Sequence, residues 1–332
     1  MLYVTTRNER EQYPALRTLG QNRGPDGGFY APFRINPMSR EEIESLKEKS
    51  FGGCVAFALE KLFFPKLDGV ELDFALGRGP VKIVTMSHRI AVAEMWHNIH
   101  WNFDWIAREL TQRLRTDAQL TEPVTEWAQI AARIAVLFGA FGQLLRSGDV
   151  DVEQGLDVAA ESGDFTMPMA AWYAREMGLP VGNIICAGEQ SGTWDLLHRG
   201  EVRLNTPLPA GMERLIHGRL GVAEVGHYLD ICCKGGIYIP AEEQVDTLRQ
   251  GMYAAVVSPR RAERTIANVY RTNRYLLGVE TAVAYAGLQD YRATAGEGRL
   301  ALIMAQYRPA ESLETVAAAI GMEPHVLKAQ LD

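Results

Sequence analysis

Residues 156 to 187, LDVAAESGDFTMPMAAWYAREMGLPVGNIICA, limit the possible fold more than any other stretch of the chain. Leu156 to Ala160 is a short apolar run that reads as a strand, and Ser162, Gly163 and Asp164 form a turn. Met167 to Met177 has the length and composition of a helix, Gly178-Leu179-Pro180 stops it, and Asn183 to Ala187 is a second apolar run. Strand, helix and strand in such close succession make a βαβ unit, with parallel strands joined by a right-handed crossover. A parallel sheet must be covered on both faces. The expected fold is therefore α/β, a twisted and mainly parallel sheet with flanking helices.

The rest of the chain supplies the covering layers. Trp127 to Leu145 is apolar on nearly every side, as in a helix buried between layers; Arg133 and Gln143 interrupt it, and its length falls short of a membrane span. Residues 20 to 38 are dense in Gly, Pro and Asn and read as loop. Ser39 and Glu42 have capping-box spacing for a helix over Arg40 to Glu48, and a second helix from Gly53 to Phe64 is expected to stop at Pro65. Pro80 to Val84 and Ile90 to Trp96 read as strands flanking a turn. Phe103 to Leu114 repeats apolar residues every fourth position and reads as a helix, followed by a polar connector from Arg115 to Pro123. Helices are expected near 208–218, 241–251, 259–272, 280–288 and 311–319, with a strand at Leu300 to Ala305. The division expected is an N-terminal region, 1–85, and an α/β core, 86–332.

Charge and cysteine usage exclude several function classes. A net charge of -7 and a pI near 5.6 argue against nucleic acid or an anionic membrane surface, both of which need a concentrated positive field. The opening MLYVTTRNEREQYPALRTL lacks the basic-then-apolar pattern of a secretion signal, so a cytoplasmic location is expected. Cys54, Cys186, Cys232 and Cys233 have no zinc-clip spacing and read as reduced, mostly buried thiols. Glu94, His97 and His100 have loose metal-ligand spacing, as do Glu224, His227 and Asp230, but neither set offers a full ligand complement and no metal is expected. Nucleophile-elbow, Walker and dinucleotide-binding patterns do not occur.

Several segments line up, in order, with one family. LYVTTR at 2–7, PDGGFYAP at 25–32, SGDFTMPMAAWYAREMGLPVGNIICA at 162–187, VETAVAYAGL at 279–288 and LIMAQYRPAES at 302–312 together resemble threonine synthase. Threonine synthases convert O-phosphohomoserine to threonine with pyridoxal phosphate (PLP) on the tryptophan synthase β-like scaffold, PLP fold type II. The resemblance implies that scaffold, in a reduced form that lacks most of the small subdomain, because Leu114 and Thr125 lie too close together to contain it.

The same resemblance marks positions where the family's chemistry is missing. The family's H-G-P-T-x-x-F-K-D-F corresponds to a segment with His97, Asn102, Phe103 and Asp104, and the register is best with the lysine between Phe103 and Asp104 deleted; in an ungapped register Asp104 replaces it. That lysine would hold the cofactor aldehyde and move the substrate proton, which requires a nitrogen nucleophile. None of the seven lysines falls between positions 83 and 233. The phosphate loop is Ser162, Gly163, Asp164, Phe165 and Thr166, with an acid in place of the family's Asn and Thr166 in place of a glycine. Asp164 reads equally as a cap that satisfies the helix amides itself. Gln306, Tyr307 and Arg308 replace Thr-Ala-His near the cofactor ring, and the head of D-P-H-T-A-V-A is lost before Thr281. The implied cleft residues are thus the degenerate loop with His97, Asn102, Gln306 and Arg308.

These substitutions lead to two expectations. One is a threonine synthase-like protein without PLP catalysis and without a bound cofactor, acting as a binding or partner protein: a homodimer, a heteromer with an active threonine synthase, or a receptor for a small molecule in the old cleft. The other is a PLP-dependent lyase or related enzyme with altered chemistry.

Overall fold

In a computed structural model, residues 1–63, 79–114, 124–203 and 208–331 are described. The centre is a six-stranded sheet of β4 (Lys82–Met86), β5 (Ile90–Glu94), β6 (Leu156–Glu161), β7 (Val181–Gly188), β10 (Met252–Val256) and β11 (Leu300–Ala305), in the order β10-β7-β6-β11-β5-β4. All neighbours run parallel except β4 against β5. A three-stranded sheet of β1 (Leu2–Thr5), β2 (Asn8–Pro14) and β3 (Tyr30–Pro32) and a small pair, β8 (Val202–Arg203) with β9 (Ile237–Tyr238), complete the strands among the described residues.

The parallel strands are almost wholly apolar because both faces are covered, and their two-residue period deals side chains alternately into two cores. Leu156, Val158, Ala160, Leu300, Leu302 and Met304 enter one, while Ala159, Ala301, Ile303 and Ala305 enter the other. Helices α1 (Phe51–Phe63), α2 (Phe103–Leu114), α3 (Glu126–Ser147) and α4 (Thr166–Glu176) cover the first face. Helices α5 (Pro259–Asn273) and α6 (Val279–Ala295) cover the second. Each branched or aromatic side chain fully withdrawn from water contributes about 1.5–3 kcal/mol, so the two cores dominate stability.

Helix α3 is capped by the Thr125 hydroxyl, which accepts from the Ala128 amide at 3.2 Å, and ends at Gly148 in the left-handed region (φ 80°). Its close approach to α1 depends on two glycines. A Cβ at Gly139 would lie 2.7 Å from the Phe51 ring, and one at Gly142 would lie 2.6 Å from Cys54 Sγ. At 22 residues the helix is longer than its sequence suggested; by length and composition it could cross a membrane, but it is mostly buried inside the protein.

Other boundaries moved. Strand β5 stops at Glu94, and Met95–His97 turn as 3-10 helix where the sequence pointed to continued strand through Trp96. The helix expected over 280–288 runs to Ala295, and the helix Val222–Cys233 and strand β10 were not foreseen. The capping box at Ser39 and Glu42 is present. Cys54 and Cys186 are buried and free, whereas Cys233 is exposed. The expected stop at Pro65 and the connector 115–123 lie outside the described residues. Position 85, the regional boundary drawn from sequence, falls within β4.

Candidate functional site

Parallel α/β sheets place ligands at the carboxyl ends of their strands. At that edge, between the ends of β6 and β11, lies a cavity of about 140 Å³, close to the size that admits benzene in an engineered pocket. Its walls come from both layers: Phe103 from α2, Arg133 from α3, Met167 from α4, and Glu280, Thr281 and Ala284 from α6. Glu161, Asp164 and Gln306 complete the polar lining.

Asp164 stands two residues before the start of α4, ahead of the N-cap Phe165. Its Oδ1 accepts from the Thr166 amide at 2.8 Å, and the Glu161 carboxylate accepts from the Gly163 amide at 2.7 Å. A phosphate at a helix N-terminus uses such amides, so two carboxylates already hold donors that an anion would need. Phe165 turns the loop through the left-handed region (φ 58°) and buries its ring. Ser162 spends its hydroxyl on the Ala187 carbonyl at 3.0 Å.

The opposite wall is a short hydrogen-bonded relay. Gln306 Nε2 donates to Asp104 Oδ2 at 2.9 Å, Arg133 donates to Gln306 Oε1 at 3.4 Å, and Arg133 also donates to Gln129 Oε1 at 2.7 Å. The guanidinium lies 4.8 Å from the Phe103 ring centroid, within cation-π range. Among the described residues no carboxylate forms an ion pair with Arg133.

Acids outnumber bases here, and their protonation reflects it. Burial, then the neighbouring charges of Glu161, Asp164 and Glu311, push the Glu280 carboxyl up to about 7. Burial likewise raises Glu161, with the Gly163 amide opposing and Asp164 reinforcing the shift. Burial lowers Arg133, against the pull of Asp164 and Asp104.

The residues singled out from sequence divide between places. Asp164 and Gln306 line this cavity, and Asp104 stands behind Gln306, whose Nε2 it accepts from. Asn102 instead caps α2, its Oδ1 accepting from the Asp104 and Trp105 amides at 3.0 and 3.2 Å. His97 and Arg308 line a neighbouring cavity with Lys82, Glu94 and Tyr275. The assignment of His97 to the cleft beside Gln306 is therefore corrected, because the 3-10 turn after Glu94 carries it toward the β4 side; Arg308 also lines a small cavity with Glu280, Thr281 and Tyr307, which adjoins the first. Glu224 accepts from Tyr238 and Gln244 at 2.8 Å each, and among the described residues no group of three or more His, Cys, Asp or Glu side chains is placed to share a metal ion. Sequence reading missed Glu161 and Glu280 as lining residues. The available signals were an acid at a strand end and an acid in the first turn of α6.

No family model matches the chain. Threonine synthase of Pseudomonas aeruginosa is 29% identical over 184 residues, which is 50% of this chain and 37% of that protein. Human threonine synthase-like 1 is 25% identical over 183 residues, 48% of this chain and 23% of its own length. The match therefore spans well under half of either curated relative. The PLP-bound threonine synthase of Brucella melitensis superposes over 98% of this chain and 92% of its own, with a TM-score of 0.79 at 17% identity. The yeast threonine synthase gives 0.78 over 96% and 90%, at 16% identity. The chain is threonine synthase-like. Its mixed, mostly parallel six-stranded sheet with helices on both faces matches the threonine synthase fold, and the cavity between β6 and β11 sits at the carboxyl edge of that sheet.

Proposed function

We propose that this threonine synthase-like chain keeps the scaffold without the PLP chemistry, and that it acts by binding rather than by aldimine catalysis. One observation carries the reading: among the described residues the cavity lining contains no lysine. The Thr166 amide at the start of α4 is also already bonded by Asp164 Oδ1, at 2.8 Å. A Schiff base needs an amine, and a dianion beside Glu161, Asp164 and Glu280 meets like charge with Arg133 as the one lining base. The residues present do not fit PLP. Arg133, Gln306 and Asp104 instead form a polar wall for a small molecule, and a second copy of the chain or an active threonine synthase is the partner this reading implies.

The test is direct. Purified protein mixed with stoichiometric PLP is expected to show the spectrum of free cofactor and no turnover of O-phosphohomoserine. A saturable aldimine band, or threonine formation above background, would overturn the proposal in favour of an enzyme with altered chemistry.

A further inference from the structure

A second cavity, of about 510 Å³, lies beyond β11 on the β4–β5 side. Its centre is Glu94, whose side chain is only 4% exposed. Both carboxylate oxygens are committed: Oε1 accepts from the Tyr275 hydroxyl at 2.7 Å, while Oε2 lies 3.0 Å from Lys82 Nζ and bonds His97 Nε2. The antiparallel register that pairs Lys82 with Glu94 across β4 and β5 sets up this cluster. A buried charge held this fully is stable, but its partners are not used up.

Lys82 retains further donor capacity and is 58% exposed. His97 keeps a second ring nitrogen beside the same space. Arg308 lines the cavity from the turn after β11; its backbone amide bonds Glu311, and its guanidinium makes no ion pair among the described residues. Two cations and a histidine thus face a cavity whose one lining carboxylate is already neutralised. Trp96, Leu276 and Pro309 supply an apolar wall. The volume falls in the usual range for small-molecule sites.

We propose that this cavity is a second ligand site, which takes a small organic anion: a carboxylate on a flat apolar body, with Arg308 and Lys82 holding the carboxylate and the Trp96 side receiving the body. Arginine pairs with carboxylate in a two-point geometry that lysine alone lacks, so Arg308 sets orientation while Lys82 adds charge. The site shares no lining residue with the acid-rich cavity, so it stands or falls independently of the PLP-free reading.

Benzoate is the probe, titrated into the full chain by calorimetry, with benzylamine as a ligand of the same body and opposite charge. Saturable benzoate binding is expected, weakened about tenfold or more in both Lys82→Met and Arg308→Gln. Arg308→Gln leaves the Glu94 cluster intact, so its effect separates lost binding from lost folding. Benzylamine is expected not to bind. Absence of saturable benzoate binding, equal binding of benzylamine, or indifference of benzoate to Arg308→Gln would each overturn the proposal.

Discussion

The two cavities flank the same strand end yet carry opposite balances of charge. Between β6 and β11, Glu161, Asp164 and Glu280 face the single base Arg133; on the other side of β11, Lys82, His97 and Arg308 surround Glu94. The difference shows that one sheet edge can hold two sites of unlike charge, set by which side chains the adjoining turns and helices supply. In the first cavity burial, then neighbouring acids, raises the Glu161 and Glu280 carboxyls; in the second the acid is bonded on both oxygens.

That contrast predicts unequal costs for removing an acid. Glu94→Ala should be the most damaging of these changes. It strips Tyr275, His97 and Lys82 of a buried partner, and loss of about 3 kcal/mol is expected in denaturant unfolding, the low end for breaking a buried pair because Lys82 can reach solvent. A loss below about 0.5 kcal/mol would mean that the Glu94 cluster contributes no more than an exposed ion pair.

Asp164→Ala should cost about 1 kcal/mol, the ordinary value for a lost hydrogen bond, because the Thr166 amide loses its acceptor. The comparison sharpens if Asp164→Asn retains most of that stability, since an amide oxygen can still accept from the Thr166 amide without adding negative charge. Equal damage from both variants would place the contribution of Asp164 in its charge.

Glu280→Gln should have an effect no larger than that of Asp164→Ala, confined to higher pH and of opposite sign. Its folded pKa is raised from an ordinary 4.5 to about 7, so between those values the folded state holds a proton that the unfolded chain has released. Stability from this group is present at low pH, falls as pH rises through that window, and is flat above it. The variant should therefore exceed the parent by about 1 kcal/mol at pH 8 and match it near pH 4, the figure being reduced for solvent screening of a half-exposed group. Thermal unfolding across pH 4–8 reads the difference, and parallel profiles for the two proteins would contradict it.

Much of the scaffold was legible because its signals are local. The βαβ unit at 156–187, the all-round apolar α3 and the cap at Ser39 each follow from period, composition or a spacing of three residues. The turn at Ser162–Asp164 was legible too, but the N-cap of α4 is Phe165, and Asp164 holds the Thr166 amide from one residue further back. What escaped was set by distant partners. Arg133 looks like an interruption of a buried helix until Gln306, 173 residues away in sequence, is seen beside it. His97 was assigned to the wrong cavity because periodicity cannot tell that β5 ends at Glu94 and turns. The hairpin itself held one unused clue: strands flanking the turn at Ser87–Arg89 bring Lys82 opposite Glu94.

The account rests on the absence of an amine where PLP would have to be held. Borohydride reduction of the protein with stoichiometric PLP, followed by peptide mapping, tests that most directly. The account predicts at most scattered, substoichiometric labelling of exposed lysines, with no single modified site. One lysine labelled to completion, and protected from labelling by O-phosphohomoserine, would contradict it.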